Sequence, residues 1–232
     1  MVRANVLILP GLLEDPAAFA AIIEGLADVA TCYVADLTRS NTMAALANDA
    51  LKQAPSEKFL LAGHSMGGYV ALAILRQAPQ RVTALALLNT NARPDTPEST
   101  ENRRRLMALA DRDFEAVSMS LLPRLMTAEH LEDPLLTGTI GNMALAVGRE
   151  AFKRQEEAII GRIDSRPHLK DIRCRTLVIA AAHDQLMPVP VLKELSDGIP
   201  GARLEIVDDS GHMASLEQPG RVLELMRGWV KG

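Results

Sequence analysis

KFLLAGHSMGGYVALAIL, residues 58 to 75, changes its hydrophobic period halfway along. The run KFLLA at 58 to 62 is short and almost wholly apolar, as a strand covered on both faces must be. Beyond it Gly67, Val70, Ala71, Ile74 and Leu75 recur at helical spacing, so a helix opens near Met66. Between the two lies Gly63-His64-Ser65-Met66-Gly67, a G-x-S-x-G turn from strand into helix. In that setting the turn holds Ser65 in a strained conformation that lifts its hydroxyl clear of the sheet, and crowding excludes a Cβ at Gly63 and Gly67.

The same alternation extends in both directions. Short β-prone runs occur at 5 to 9, 30 to 36, 84 to 89, 175 to 180 and 202 to 208. Amphipathic stripes stand between them: Phe19, Ile22, Ile23 and Leu26 after the capping pair Asp15-Pro16, then Met43, Leu46, Ala47, Ala50 and Leu51, and finally Val222, Leu225, Met226 and Trp229. This rhythm predicts an α/β fold with a doubly wound, mostly parallel sheet of about six strands. From about Ala92 to His168 no strand pattern is found, and Pro94, Pro97, Pro123, Pro134 and Pro167 punctuate short helical stretches. Residues 1–91 and 169–232 are therefore expected to form the core domain and 92–168 an inserted helical cap. The basic run Arg103 to Arg105 lies in a segment of nearly balanced charge and reads as a mixed, solvated face.

Composition narrows the function. The 232 residues are 48% hydrophobic and 23% charged, with a formal net charge of -4, which excludes a disordered chain and a basic field for nucleic acid. No apolar stretch approaches the ~18 residues of a membrane span, and the four-residue apolar run near the N-terminus is shorter than a signal-peptide core of ~7 to 15 residues. A cytoplasmic protein with neither nucleic-acid nor membrane partners is expected. Its oligomeric state is not readable. Cys32 and Cys174 lie far apart without metal-ligand spacing and read as small buried apolar residues, so neither a metal nor another cofactor is called for.

Serine at its ordinary pKa is a poor nucleophile and needs a base, itself oriented by a third group. Of five histidines, His64 lies inside the elbow, His130 and His168 fall in or at the edge of the cap, and His183 precedes an acid candidate. His212 follows the last strand, at the sheet end where parallel folds place their crevice. Asp184, immediately after the strand at 175 to 180, supplies the carboxylate that would fix the His212 tautomer and stabilise its imidazolium. Asn89 is the rival position but carries no counter-charge, and Asp208 and Asp209 read as turn formers. The backbone N-H of Met66, at the helix start, and that of Leu12, in the glycine turn after the first strand, are the candidate oxyanion donors. Leu121, Leu125, Met126, Ile140 and Met143 in the cap, with Met187 beside Asp184, are candidates for an apolar, adaptable pocket, or else for the interior of the cap itself.

Gly-His-Ser-Met-Gly-Gly at 63 to 68, the Asp184 loop, Ser-Gly-His at 210 to 212 and Glu-Gln-Pro at 217 to 219 together resemble the α/β-hydrolase fold family over nearly the whole chain. The resemblance implies that Ser65, Asp184 and His212 form a catalytic triad and that Leu12 and Met66 form the oxyanion hole. Two departures stand out. Pro10-Gly11 replaces the family's usual His-Gly, and the chain begins directly at the strand before it, which predicts a trimmed, six-stranded sheet. A serine at the elbow argues against the dehalogenases and epoxide hydrolases of similar fold, which use aspartate there. The expected activity is hydrolysis of a small or medium carboxylic ester through an acyl-enzyme. Lactone, thioester or carbon-carbon bond hydrolysis, acyl transfer and perhydrolysis would use the same residues, and a ligand receptor with slow hydrolysis is the alternative from another functional class.

Overall fold

The computed structural model describes residues 3–232. Six strands, β1 (Ala4–Leu9), β2 (Ala30–Val34), β3 (Phe59–His64), β4 (Val82–Leu88), β5 (Arg175–Ala181) and β6 (Arg203–Val207), form one sheet in the order β2-β1-β3-β4-β5-β6. Every neighbouring pair is parallel. The chain starts at β1, steps outward to β2, then crosses back to β3 on the other side, so the winding reverses between β1 and β3. At such a switch point the connections leave in opposite directions and open a crevice at the carboxyl ends of the strands.

The helices that cover the sheet are α1 (Ala20–Leu26), α2 (Met43–Gln53) and α3 (Met66–Gln77) in the first half. After β4 come α4 (Pro97–Ala110), α5 (Phe114–Leu125), α6 (Ala128–Leu131), α7 (Pro134–Val147) and α8 (Arg149–Ile160), and then α9 (Val189–Gly198), α10 (Ala214–Glu217) and α11 (Pro219–Lys231) complete the chain. Asp15 caps the 3-10 turn that leads into α1, accepting a hydrogen bond from the Ala17 N-H at 2.8 Å. Apolar stripes of α2, α3 and α9 pack on one face of the sheet and those of α1 and α11 on the other, giving two cores. The stripes read from the sequence are the buried residues: Leu46, Ala47 and Ala50 on α2, and Val222, Leu225, Met226 and Trp229 on α11.

Burial is continuous only in the inner strands. The edge strands are mostly half-buried, and Tyr33 on β2 and Ile206 on β6 are 41% and 43% exposed. An edge strand has a neighbour on one side only, so the helices do not cover it fully. Cys32 lies on β2, whereas Cys174 precedes β5 by one residue instead of lying within a strand; three strands separate the two and both thiols are free. The five helices between β4 and β5 have a small core of their own, in which Ala110, Val117, Ala144 and Phe152 close over Leu13 of the β1 turn. Among the described residues no helix is long and apolar enough to cross a membrane.

Candidate active site

Four strand ends converge on one spot. Ser65 follows β3 with φ 50° and ψ -116°, a positive φ that a side chain adopts only under strain. The elbow is held by the Ser65 N-H, which donates to the Leu88 carbonyl at 3.0 Å, and by the Thr90 hydroxyl, which donates to the Ser65 carbonyl at 2.7 Å. A Cβ at Gly63 would lie 2.5 Å from the Gly67 carbonyl oxygen, and one at Gly67 would lie 2.0 Å from that of Leu9. Both contacts are impossible, so the close crossing of β1, β3 and α3 requires glycine twice.

His212, after β6, reaches Ser65 Oγ with Nε2 at 2.8 Å and Asp184 Oδ2 with Nδ1 at 2.7 Å. The carboxylate can only accept, so Nδ1 carries the proton and Nε2 presents its lone pair to the serine hydroxyl. Asp184 accepts four hydrogen bonds. Oδ1 takes the N-H groups of Leu186 and Met187 at 2.8 and 2.9 Å, while Oδ2 takes His212 and the Asn89 amide, the latter at 2.9 Å. Burial alone would raise its pKa. The His212 charge and hydrogen bond, the backbone donors and Asn89 outweigh that and lower it to about 2. Asn89, weighed as a rival to Asp184, thus serves as a donor to it.

The glycine turn after β1 is tied down amide by amide. Gly11 N-H donates to Glu14 Oε2 at 2.7 Å, and Leu13, at φ 61°, donates its N-H to Gln155 Oε1 at 3.1 Å. Among the described residues no protein acceptor takes the Leu12 N-H that lies between them. Met66 begins α3, where the first amides have no partner within the helix and the dipole presents its positive end. Leu12 lines the cavity together with Ser65 and His212.

That cavity has a volume of about 710 Å³. Of the residues read as pocket candidates, Leu121, Leu125, Ile140, Met143 and Met187 line it. Met126 does not: it is buried among the sheet-side core residues, with its backbone 3.0 Å from where a Gly211 Cβ would stand, because its segment is pressed onto the His212 loop. The opposite wall is polar, with Tyr69, Asn91, Asp95, Arg103, Glu156 and Arg162. Arg103 is not on a solvated face as its sequence neighbours suggest. Its guanidinium lies 2.7 Å from Glu156 and 3.3 Å from Asp95, and Arg162 lies 2.8 Å from Asp95. Arg162 also stacks 4.5 Å above the Tyr69 ring. Burial holds the Glu156 carboxyl above its ordinary pKa despite Arg103.

A second buried carboxylate braces the histidine loop. Glu217 accepts the Gly211 N-H at 2.8 Å through one oxygen, and the Thr127 N-H and His130 Nδ1, each at 2.9 Å, through the other. Met213 N-H donates to the Leu125 carbonyl at 3.0 Å. The loop that carries His212 is thereby stitched to α5 and α6. Sequence reading missed these supports, together with Glu14, Gln155 and the polar wall. Glu217 stands out in the sequence only within Glu-Gln-Pro, and the one available signal for Glu14 is an acid directly after the apolar turn Leu9 to Leu13.

A parallel, doubly wound sheet carrying serine on a strand-to-helix elbow and histidine and aspartate on later strand ends defines a class of enzymes. A sequence profile of the alpha/beta hydrolase fold matches residues 4–219, and the chain belongs to that family. A thermophilic esterase from Thermogutta terrifontis superimposes with a TM-score of 0.90 at 30% identity, covering 98% of this chain and 89% of that one. A protein assigned as the carbamate hydrolase RutD in Azorhizobium caulinodans is 30% identical over 173 residues, which are 73% of this chain and 64% of the relative's own length. The 2-hydroxy-6-oxononadienedioate/2-hydroxy-6-oxononatrienedioate hydrolase of Escherichia coli K12 is 28% identical over 199 residues, 83% of this chain and 69% of that protein. All three relatives are hydrolases.

Proposed function

We propose that the chain is a serine hydrolase that cleaves small or medium carboxylic esters through an acyl-enzyme, with residues 92–168 acting as a cap over the pocket. The observation that carries this reading is the continuous chain from Ser65 Oγ to His212 Nε2 at 2.8 Å and from His212 Nδ1 to Asp184 at 2.7 Å. Ser65 Oγ attacks the ester carbonyl carbon as its proton passes to His212 Nε2. The new negative charge on the carbonyl oxygen is met by the free amides of Leu12 and Met66, each such donor being worth roughly 2.7 to 4 kcal/mol. The imidazolium, steadied by Asp184, returns its proton to the departing alkoxide and leaves Ser65 acylated. Water then repeats the cycle, giving a proton to His212 and its oxygen to the acyl carbon, and Ser65 recovers its hydrogen.

The apolar wall of Leu121, Leu125, Ile140, Met143 and Met187 suits an acyl chain, and the polar wall suits a more hydrophilic end of the substrate. Carbamates, the substrate class in one relative's name, also present a carbonyl carbon to the same attack, so esters and carbamates of graded length belong in one assay panel. Ser65→Ala should lower turnover of a p-nitrophenyl ester by about 10⁶-fold, as in other serine triads. Turnover that survives this substitution rejects the reading.

A further inference from the structure

His64, the residue before the nucleophile, is fully enclosed, yet both of its ring nitrogens face oxygen. Nδ1 lies 2.7 Å from Glu14 Oε1 and Nε2 lies 2.9 Å from the backbone carbonyl of His212. A carboxylate and a carbonyl can only accept, and a neutral imidazole has a proton for only one of them. Nε2 must carry a proton to donate to the His212 carbonyl, and the negative carboxylate 2.7 Å from Nδ1 holds a second proton there, so the ring is an imidazolium. The Nδ1-H bond points away from the line to Oε1, which makes the contact an ion pair more than a straight hydrogen bond. Around the ring stand Glu14, Asp184, the edge of Phe19 and the tilted ring of His212, with centroids 6.3 and 5.0 Å away for the last two. No cation faces it among these groups. Burial by itself would lower the His64 pKa, but the charge and hydrogen bond of Glu14, the His212 carbonyl and Asp184 together hold it above the ordinary value.

Glu14 has a second task. Its other oxygen takes the Gly11 amide at 2.7 Å, in the turn that leaves Leu12 N-H free. The geometry points to the Glu14 and His64 pair as a positioning clamp for catalysis: a carboxylate and an imidazolium that hold the oxyanion turn at one end and the backbone of His212 at the other. His64 does not line the cavity, and Glu14, which forms part of its wall, has its two oxygens turned to the Gly11 amide and to His64. The clamp fixes the separation between the general base and the Leu12 donor, and so acts on the transition state through both. This inference rests on the serine-hydrolase reading for its effect on rate, but not for the charge on His64.

The test uses the intact chain with histidine ring nitrogens labelled with nitrogen-15, and the variants Glu14→Ala and Glu14→Gln. At pH 7, above the ordinary imidazole value of about 6.5, both His64 nitrogens of the wild type should be protonated, and a single protonated nitrogen overturns the proposal. Glu14→Ala, measured per active site titrated with a phosphonate, should lower kcat roughly 10- to 100-fold, less than the roughly 10²- to 10³-fold seen when an oxyanion donor is removed outright. KM should change little, and affinity for a boronic acid, whose tetrahedral adduct uses the same donors, should fall in parallel with kcat. Glu14→Gln should recover most of kcat, because its amide oxygen still accepts from Gly11 and its N-H donates to a His64 now neutral with one protonated nitrogen. Wild-type kcat in folded Glu14→Ala overturns the clamp. If Glu14→Ala does not fold, Glu14→Asp, whose shorter side chain cannot span Gly11 and His64 together, replaces it and should show the same loss of kcat, and wild-type kcat in that variant overturns the clamp. Should Ser65→Ala keep its turnover, the hydrolase reading fails while the protonation of His64 stands or falls on its own spectrum.

Discussion

Two carboxylate and imidazole pairs lie back to back at the carboxyl end of the sheet, Asp184 with His212 and Glu14 with His64, and they share the same 2.7 Å contact at Nδ1. What separates them is the partner of the other nitrogen. His212 Nε2 meets a hydroxyl, which can donate, so the ring can stay neutral and take a proton when Ser65 attacks. His64 Nε2 meets a carbonyl, which cannot donate, so that ring must be charged and has no lone pair left for proton transfer. A base and a structural cation thus arise from one pair of residue types, and a single acceptor or donor 3 Å away decides which is which.

The comparison is broken most severely at Asp184. Asp184→Asn preserves the shape but lets the amide donate to Nδ1, moving the His212 proton to Nε2, where it blocks removal of the Ser65 proton. Steady-state kinetics at neutral pH should show kcat lowered by about 10⁴-fold, as in another serine triad with this change. A loss below tenfold would mean that Asp184 does not set the tautomer. The Glu14 variants described above should have effects at least a hundredfold smaller on the same scale, since they act through position alone.

Stability should respond to pH with opposite signs at the two pairs. Asp184 is lowered to about 2 in the folded state, from an unfolded value of about 3.9, so its contribution is present above about pH 4 and is lost as pH falls toward 2. By linkage that contribution is roughly 2 to 3 kcal/mol. His64 is raised, so its contribution is complete below its unfolded value of about 6.5 and is lost as pH rises through the folded value. Urea denaturation across this range should show the alkaline limb flattened by Glu14→Gln and left unchanged by Asp184→Asn, which flattens the acid limb. Swapped or absent effects would show that one of the rings is assigned the wrong charge.

The parts of this site that were legible in the sequence are those that local chemistry constrains. The elbow needs glycine at 63 and 67 because backbone meets backbone there, and Ser65, Asp184 and His212 each follow a strand whose apolar run marks its end. Six strands and their order of helices follow from the same periodicities. The clamp was not legible, because Glu14 and His64 lie 50 residues apart and nothing in the spacing says that a buried acid will face the elbow. Arg103 illustrates the same limit: next to Arg104 and Arg105 it reads as surface, and only the packing of α4 against α8 brings it to Glu156. Met126 has the composition of a pocket residue, yet the hydrogen bonds that tie its segment to the His212 loop turn it away from the cavity.

The central claim is that Ser65 is the nucleophile activated by His212, and active-site labelling tests it most directly. A fluorophosphonate added at one equivalent per chain should phosphonylate Ser65 stoichiometrically, located by peptide mass analysis, and ester turnover should vanish in proportion to the labelled fraction. Full labelling of Ser65 with turnover intact, or complete inactivation with the label on another residue, would contradict the account.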